Sequence, residues 1–275
     1  MELKSILAFY LPLCAAPFAA ARPAGNAVFI VGGSPAAAGE FPFIVSTLRS
    51  GRHWCGGVLL NANTVLTAAH CVESTPAISQ VRAGSLAHAS GGVVANISSI
   101  TPHPKYEDLG YDMAIVKLST PIEANGTIGY ATLPEAGSDP VAGADATVAG
   151  WGDLEYAGQA PEELQKVTVP VVDRATCSAA YQAIPNMPNI TDAMFCAGLK
   201  EGGQDACSIT DAMFCAGLKE GGQDACSGDS GGPIIDTETR VLIGVVSWGY
   251  KCAAPNAYGV YTRLGADIDF IKSQL

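Results

Sequence analysis

The chain has 275 residues and a mass of 28.2 kDa; it is 48% hydrophobic and only 15% charged, so it can bury a sizeable core and is too apolar for extended disorder. With 26 acidic against 15 basic residues and a net charge of −11, it lacks the basic surface that binding to a nucleic-acid backbone requires. Its 31 glycines and 17 prolines suit short strands and turns better than helical bundles, and nine cysteines are too many for a cytosolic enzyme without bound metal.

Residues 1–21 read as a secretory signal peptide: Lys4 gives the positive start, an apolar run begins at Ile6, and Ala19-Ala20-Ala21 offers a cleavage site before Arg22. Pro12 and Pro17 interrupt the run, which falls short of the ~20 residues a spanning helix needs. No later segment reads as a membrane span, so a soluble, secreted, extracellular protein is expected. Removing Cys14 with the signal leaves eight cysteines: Cys55, Cys71, Cys177, Cys196, Cys207, Cys215, Cys226 and Cys252. An even count in an oxidising compartment reads as disulfides. Zinc competes poorly, because no pair is spaced as CxxC and His70 alone lies beside a cysteine. Sequons at Asn96, Asn125 and Asn189 fit a secreted glycoprotein.

Further along, short apolar runs recur between breakers: Phe43–Val45, Val58–Leu60, Ala114–Val116, Val167–Val169 and Leu242–Val246. This rhythm predicts an all-β sandwich or a pair of barrels. Asp173 is a candidate N-cap for a short helical turn. Residues 190–208 are repeated letter for letter as 209–227, a tandem pair of 19-residue units too few for a solenoid. At the end of the chain, Ile268, Ile271 and Leu275 form one apolar stripe of a terminal helix.

Three strings carry chemistry: Leu66-Thr67-Ala68-Ala69-His70-Cys71, Tyr111-Asp112-Met113-Ala114-Ile115 and Gly228-Asp229-Ser230-Gly231-Gly232-Pro233. A serine hydroxyl is a poor nucleophile at neutral pH. It needs a base to take its proton and a buried carboxylate to hold that base in one tautomer. His70, Asp112 and Ser230 are the candidates for these roles. The glycines around Ser230 permit a tight loop whose Gly228 and Ser230 N–H groups could stabilise an oxyanion.

With these strings the sequence resembles the S1-type (chymotrypsin-superfamily) serine proteases, whose triad is the type case of this chemistry. Within them it resembles the trypsins, and most of all the secreted trypsins of filamentous fungi. The resemblance runs from Ile30 to Leu275, interrupted only by the extra repeat copy. It implies two packed six-stranded antiparallel β-barrels with a C-terminal helix and an active site in the cleft between them. The implied function is that of a monomeric serine endopeptidase cutting protein or peptide substrates after Arg or Lys through an acyl-enzyme, with no cofactor. Ile30-Val31-Gly32-Gly33 resembles the new N-terminus of an activated trypsin. Residues 22–29 would then be an activation propeptide, residues 30–275 the protease domain, and the freed amino group of Ile30 would pair with Asp229. Phe29 precedes the cut, so a separate activating protease is expected rather than self-cleavage.

The resemblance also assigns a primary pocket. Asp224, six residues before Ser230, would lie at its base, Ser247-Trp248-Gly249 would form one wall and Gly259 the other. Ala225 stands where many trypsins have Ser. A guanidinium grips a carboxylate with a bidentate fork, whereas an ammonium needs further oxygen ligands, so Arg should be preferred to Lys. Lys251 stands where the family usually has Gly. The disulfides implied are 55–71, 177–196 and 226–252. A short family loop after Cys177 favours Cys196 over the competing partner Cys215, and leaves Cys207 and Cys215 free or bonded to each other. No carboxylate occurs from Gly84 to Tyr106, so no calcium or other metal site is expected. Two other functions compete: a catalytically impaired binding protein, favoured only by the repeat, and a serine esterase, to which an acidic pocket is useless.

Overall fold

The computed structural model describes residues 33–73, 77–106, 110–153, 160–200, 228–250 and 256–275. The signal peptide, the propeptide, Ile30, Asp224, Ala225, Lys251, and Cys207, Cys215, Cys226 and Cys252 lie outside these ranges.

The described residues form two antiparallel barrels. The first closes through β2 (Ile44–Arg49), β3 (Arg52–Asn61), β4 (Thr64–Thr67), β7 (Ala114–Leu118), β6 (Val93–Pro102) and β5 (Gln80–Ala83). The second runs β9 (Gln165–Val172), β10 (Met194–Ala197), β13 (Gly259–Arg263), β12 (Leu242–Trp248), β11 (Pro233–Asp236) and β8 (Asp145–Gly150), and β8 pairs back onto β9 to close it. The two-residue β1 (Ser34–Pro35) adds to the edge of β9. Thus the two six-stranded barrels expected from the resemblance are present.

Alternation explains the second barrel. In β9 the residues Gln165, Val167, Val169 and Val171 are buried while their neighbours are partly or fully exposed. A strand with this period of two points one row of side chains inward. The row meets Val148, Phe195, Ile234 and Tyr261 from four other strands. The first barrel fills in the same way with Val45, Leu59, Val65, Val81 and Val116. A third cluster lies between the barrels and joins Phe43, Val58, Leu66 and Met113 to Trp151, Val245 and Leu264. Fully burying one such aliphatic side chain is worth about 1.5–3 kcal/mol, so this seam holds the two halves together.

Helix α1 (Arg174–Gln182) starts at Asp173, whose carboxylate accepts the Thr176 N–H at 2.9 Å. It is a nine-residue helix rather than a single turn. The C-terminal helix α2 (Ile268–Lys272) is shorter than the apolar stripe predicts. Ile268 and Ile271 are buried in the seam, but Leu275 lies beyond the helix and is 53% exposed. Buried His103 secures this end: its Nε2 lies 3.2 Å from Asp267, and its ring packs between Tyr111 and Phe270. Among the described residues no helix is long and apolar enough to cross a membrane.

Candidate active site

His70 follows β4 at the end of Leu66–Cys71, and Asp112 precedes β7; β4 and β7 are hydrogen-bonded neighbours, so the first barrel brings the two together. His70 Nδ1 lies 2.7 Å from Asp112 Oδ2, and the His70 backbone N–H donates to Asp112 Oδ1 at 3.0 Å. The carboxylate has no exposed surface. The second barrel supplies its other partners: Ser247 Oγ–H donates to Oδ2 at 2.6 Å, and Thr262 Oγ1–H donates to the Asp112 carbonyl at 2.8 Å. This arrangement fixes one tautomer, with the proton on Nδ1 and a lone pair on Nε2.

Burial opposes charge on both partners. For His70 it pushes the imidazole down, but the Asp112 charge and hydrogen bond, with a smaller pull from Glu73, outweigh it and hold the ring above its ordinary value. For Asp112 burial pushes the carboxyl up, but the His70 charge and hydrogen bond, with that of Ser247, outweigh it and hold the carboxyl below its ordinary value. The pair is thus built to keep Asp112 ionised beside a basic imidazole.

Ser230 lies at the seam, 3% exposed, in the loop that leads into β11. Its carbonyl accepts the Gly56 N–H at 2.8 Å and lies 3.7 Å from Cys71 Sγ, next to His70. The loop is bonded through its own backbone: Gly232 N–H to the Asp229 carbonyl and Gly231 N–H to the Val246 carbonyl, each at 2.8 Å. In a trans peptide the N–H points away from the carbonyl, so the first of these bonds also sets the direction of the Ser230 N–H. Asp229 is fully buried, and its Oδ1 accepts the Gly152 N–H at 2.7 Å.

Gly228 has φ +111°, a backbone state that residues with a side chain rarely adopt. Its carbonyl is held by His53, a residue that no sequence motif points to. His53 Nε2–H donates to Gly228 O at 3.1 Å, and its Nδ1 accepts the Ser46 hydroxyl at 2.7 Å. Burial and the neighbouring His88 push His53 down to about 4, so the ring is neutral in this network.

The candidate pocket walls are adjacent strands, with Trp248 on β12 opposite Val260 on β13. Trp248, Gly249 and Gly259 are buried. Tyr181 of α1 joins the walls: its hydroxyl donates to the Tyr258 carbonyl and accepts the Tyr250 N–H at 3.3 Å, and its ring meets Trp248 edge-on at 4.9 Å. Ser247, expected only as a wall residue, turns its hydroxyl to Asp112. Two disulfides are present among the described residues, Cys55–Cys71 beside His70 and Cys177–Cys196 tying α1 to β10. Cys55, His70 and Cys71 are close enough to share an ion, but the two sulfurs are bonded to each other and offer no thiolate.

The trypsin family model matches residues 30–208 and 208–271. The chain is 42% identical over 252 residues to "Trypsin Blo t 3" of Blomia tropicalis, covering 90% of this chain and 86% of that protein. It is 38% identical over 246 residues to "Trypsin 5G1" of Aedes aegypti, covering 88% and 84%, and 38% identical over 252 residues to "Trypsin" of Saccharopolyspora erythraea, covering 90% and 98%. With matches across nearly the whole chain and two barrels around the Asp112–His70 pair, the protein belongs to the trypsin family and is a serine endopeptidase.

Proposed function

We propose that this protease hydrolyses bonds after Arg, and more slowly after Lys, with Ser230 as nucleophile, His70 as base and Asp112 as the carboxylate that orients it. The observation that carries the reading is the buried Asp112–His70 pair, closed at 2.7 Å and braced by Ser247 from the other barrel. His70 Nε2 takes the proton of the Ser230 hydroxyl as its oxygen attacks the scissile carbonyl. The N–H groups of Gly228 and Ser230 stabilise the tetrahedral oxyanion. His70 then gives the proton to the leaving amine, and water, deprotonated by the same imidazole, releases the acyl group from Ser230. Asp224 at the pocket base accepts the substrate cation between the walls of Ser247, Trp248, Gly249 and Gly259. Beyond the repeat itself no observation favours the impaired-homologue reading, and none favours the esterase.

The same proposal includes secretion after removal of residues 1–21, a zymogen cut after Phe29 by a separate protease, and a salt bridge from Ile30 to Asp229. It also covers a Cys226–Cys252 disulfide, a monomeric state and, within the family, kinship to the secreted trypsins of filamentous fungi. Glycosylation is supported by the exposure of Asn96, Asn125 and Asn189.

Turnover of an arginyl amide by the activated chain, abolished in Ser230→Ala, is the direct test; turnover that persists in that variant refutes the assignment. Matched Arg and Lys peptides test the pocket. A hydrogen bond to a charged group is worth ~1.5–3 kcal/mol, or roughly 10–150-fold, and Ala225 cannot make one to a bound ammonium. The Arg bias in kcat/KM should lie in that range and shrink in Ala225→Ser, whereas equal rates would remove Ala225 from the account.

A further inference from the structure

β6 ends at Pro102, opposite Ala114 at the start of β7, and one further bond carries the pairing outward: the His103 N–H donates to the Met113 carbonyl at 2.9 Å. This sets His103 beside the turn that presents Asp112. The Met113 N–H donates to the Tyr111 carbonyl at 2.7 Å and closes a γ-turn with Asp112 at its centre. The chain enters that turn through Tyr111 at φ +49°, in the left-handed region. A bulky residue there is an outlier, and outliers persist only where the surroundings over-determine them. The other non-glycine residues with positive φ among the described ones are Ser50, Asn186, Arg240 and Asn256, so Tyr111 alone brings an aromatic ring to that state.

The surroundings of Tyr111 hold it through the ring. It lies flat on the His103 imidazole, with 4.8 Å between centroids and 7° between planes, and Lys105 Nζ lies 5.2 Å from the ring centre. His103 cannot yield. It is 2% exposed, its Nδ1 accepts the Lys105 N–H at 3.1 Å, its Nε2–H donates to Asp267 Oδ2 at 3.2 Å, and its ring meets Phe270 edge-on at 4.5 Å. Asp267 in turn caps α2, its Oδ1 accepting the Phe270 N–H at 3.3 Å. An unbroken run of contacts therefore leads from the C-terminal helix through His103 and Tyr111 to the backbone of Asp112.

The direction of Asp112 is what this run controls. Its Oδ2 is shared between His70 Nδ1 at 2.7 Å and the Ser247 hydroxyl at 2.6 Å, so a small rotation of the turn strengthens one bond at the expense of the other. Glycine at position 111 would allow that rotation. A ring stacked on a buried, fully bonded imidazole opposes it.

We propose that the Tyr111 ring, stacked on His103, is a positioning residue that aims the Asp112 carboxylate at His70, and that the C-terminal helix supports the site through it. This deepens the proposed triad and rests on it. Tyr111 acts through Asp112 and takes no part in bond breaking.

The test separates ring from backbone. Glycine adopts positive φ freely, so Tyr111→Gly keeps the turn and removes the ring, whereas Tyr111→Phe keeps the ring and with it the stack. Each activated full chain is assayed on an arginyl anilide along its pH profile, with rates referred to active sites counted by burst titration with an acylating ester. Tyr111→Gly should lose about fivefold to fiftyfold in kcat with KM within about twofold of the parent, as a slight misplacement of a catalytic group does. Burial pushes His70 down and Asp112 holds it up, so a misaimed carboxylate should also move the acid limb of kcat/KM to lower pH. Tyr111→Phe should stay within about twofold of the parent throughout. Phe270→Ala, which strips the far side of His103 without touching the turn, should give a smaller loss of the same kind. No turnover by the parent would overturn the activity on which the proposal rests. Parent turnover with a Tyr111→Gly kcat within about twofold, a loss confined to KM, an unmoved acid limb or an equal loss in Tyr111→Phe would overturn the positioning role alone. An unaltered Phe270→Ala would overturn the part given to the helix. Should Tyr111→Gly fail to fold, Tyr111→Asn decides the question, since asparagine also tolerates the left-handed region.

Discussion

His53 is a half-buried imidazole whose ionisation this fold opposes. It stays neutral because Nδ1 must accept from Ser46 while Nε2 donates to Gly228, and burial holds it near 4 instead of its ordinary 6.5. Between those values the unfolded chain binds the proton that the folded chain refuses. The sign is therefore fixed: this group's contribution is present above pH 6.5 and is lost as pH falls towards about 4. The full loss corresponds to about 3 kcal/mol. His70 runs the other way, because its raised value adds stability at low pH that disappears as pH rises through it. We predict that urea unfolding in a Ser230→Ala background, which prevents self-digestion, will show stability falling from pH 7.5 to 4.5. A further His53→Gln substitution should flatten that slope by about 2–3 kcal/mol. An equal slope in both proteins would show that the His53 network does not resist protonation. His53 also marks where reading the sequence stops. The strings around His70, Asp112 and Ser230 are legible because each role demands a particular residue within a short motif. His53 acts on a carbonyl 175 residues away, and nothing in Arg52-His53-Trp54 announces that partner.

At the scale of elements, strands with apolar runs of their own, such as β2, β7, β9 and β12, were visible in the sequence, whereas β6 was not. Seven of its ten residues are exposed and it shows no clean alternation, yet β5 and β7 hold it by pairing on both sides. The neighbours decide the strand, and a local pattern cannot report them. The terminal stripe fails for a related reason: α2 stops at Lys272, before Leu275 could turn onto the seam. The contact between β3 and the Ser230 loop is equally invisible and can be tested sharply. A Cβ on Gly56 would lie 2.7 Å from Gly232 Cα and 2.8 Å from Gly232 N, both backbone atoms that cannot swing aside. Overpacking of this kind costs about 1–3 kcal/mol, and here the loop that must move carries Ser230, the proposed nucleophile. Gly56→Ala should therefore lose stability at the upper end of that range and lose most of its kcat/KM. Gly126→Ala, whose Cβ meets nothing within 4 Å, should stay within about 0.5 kcal/mol of the parent. Comparable effects of the two substitutions would contradict the packing argument. The Cys177–Cys196 bridge, closing a separation of 19 residues, should be worth about 3 kcal/mol. Replacing both cysteines with alanine should show that loss, and peptide mapping that found 177–215 in the native protein would contradict the pairing.

Across the whole molecule, the two barrels must bring groups from distant parts of the chain to one seam, and the tandem repeat bears on how that closure is achieved. The family match breaks at Ser208, the last residue of the first copy. Deleting any 19-residue window that starts from 190 to 209 leaves the same shortened chain, so the sequence alone cannot say which copy is extra. Both anchors are fixed: Cys196 on β10 is bonded to Cys177 of α1, and Ser230 is held by Gly56 at the seam. Between Lys200 and Gly228 run 27 residues, against 8 if one 19-residue copy is removed. Closure entropy grows only as the logarithm of loop length, so the added copy should cost about 1 kcal/mol, far less than its size suggests. Among the described strands β10 alone draws on the repeat, through its first copy, while the other pairings and the Asp112–His70 pair do not, and Asp224 to Pro233 is unbroken in either form. We therefore predict that the 19-residue deletion raises stability by about 1 kcal/mol, or roughly 2–4 °C in Tm for a chain of this size. It should do so with the same Cys177–Cys196 bridge in peptide maps. A deletion that destabilises the protein would mean that the second copy supplies packing of its own. A gain of several kcal/mol would mean that the added residues strain the seam and are not merely closed as a longer loop.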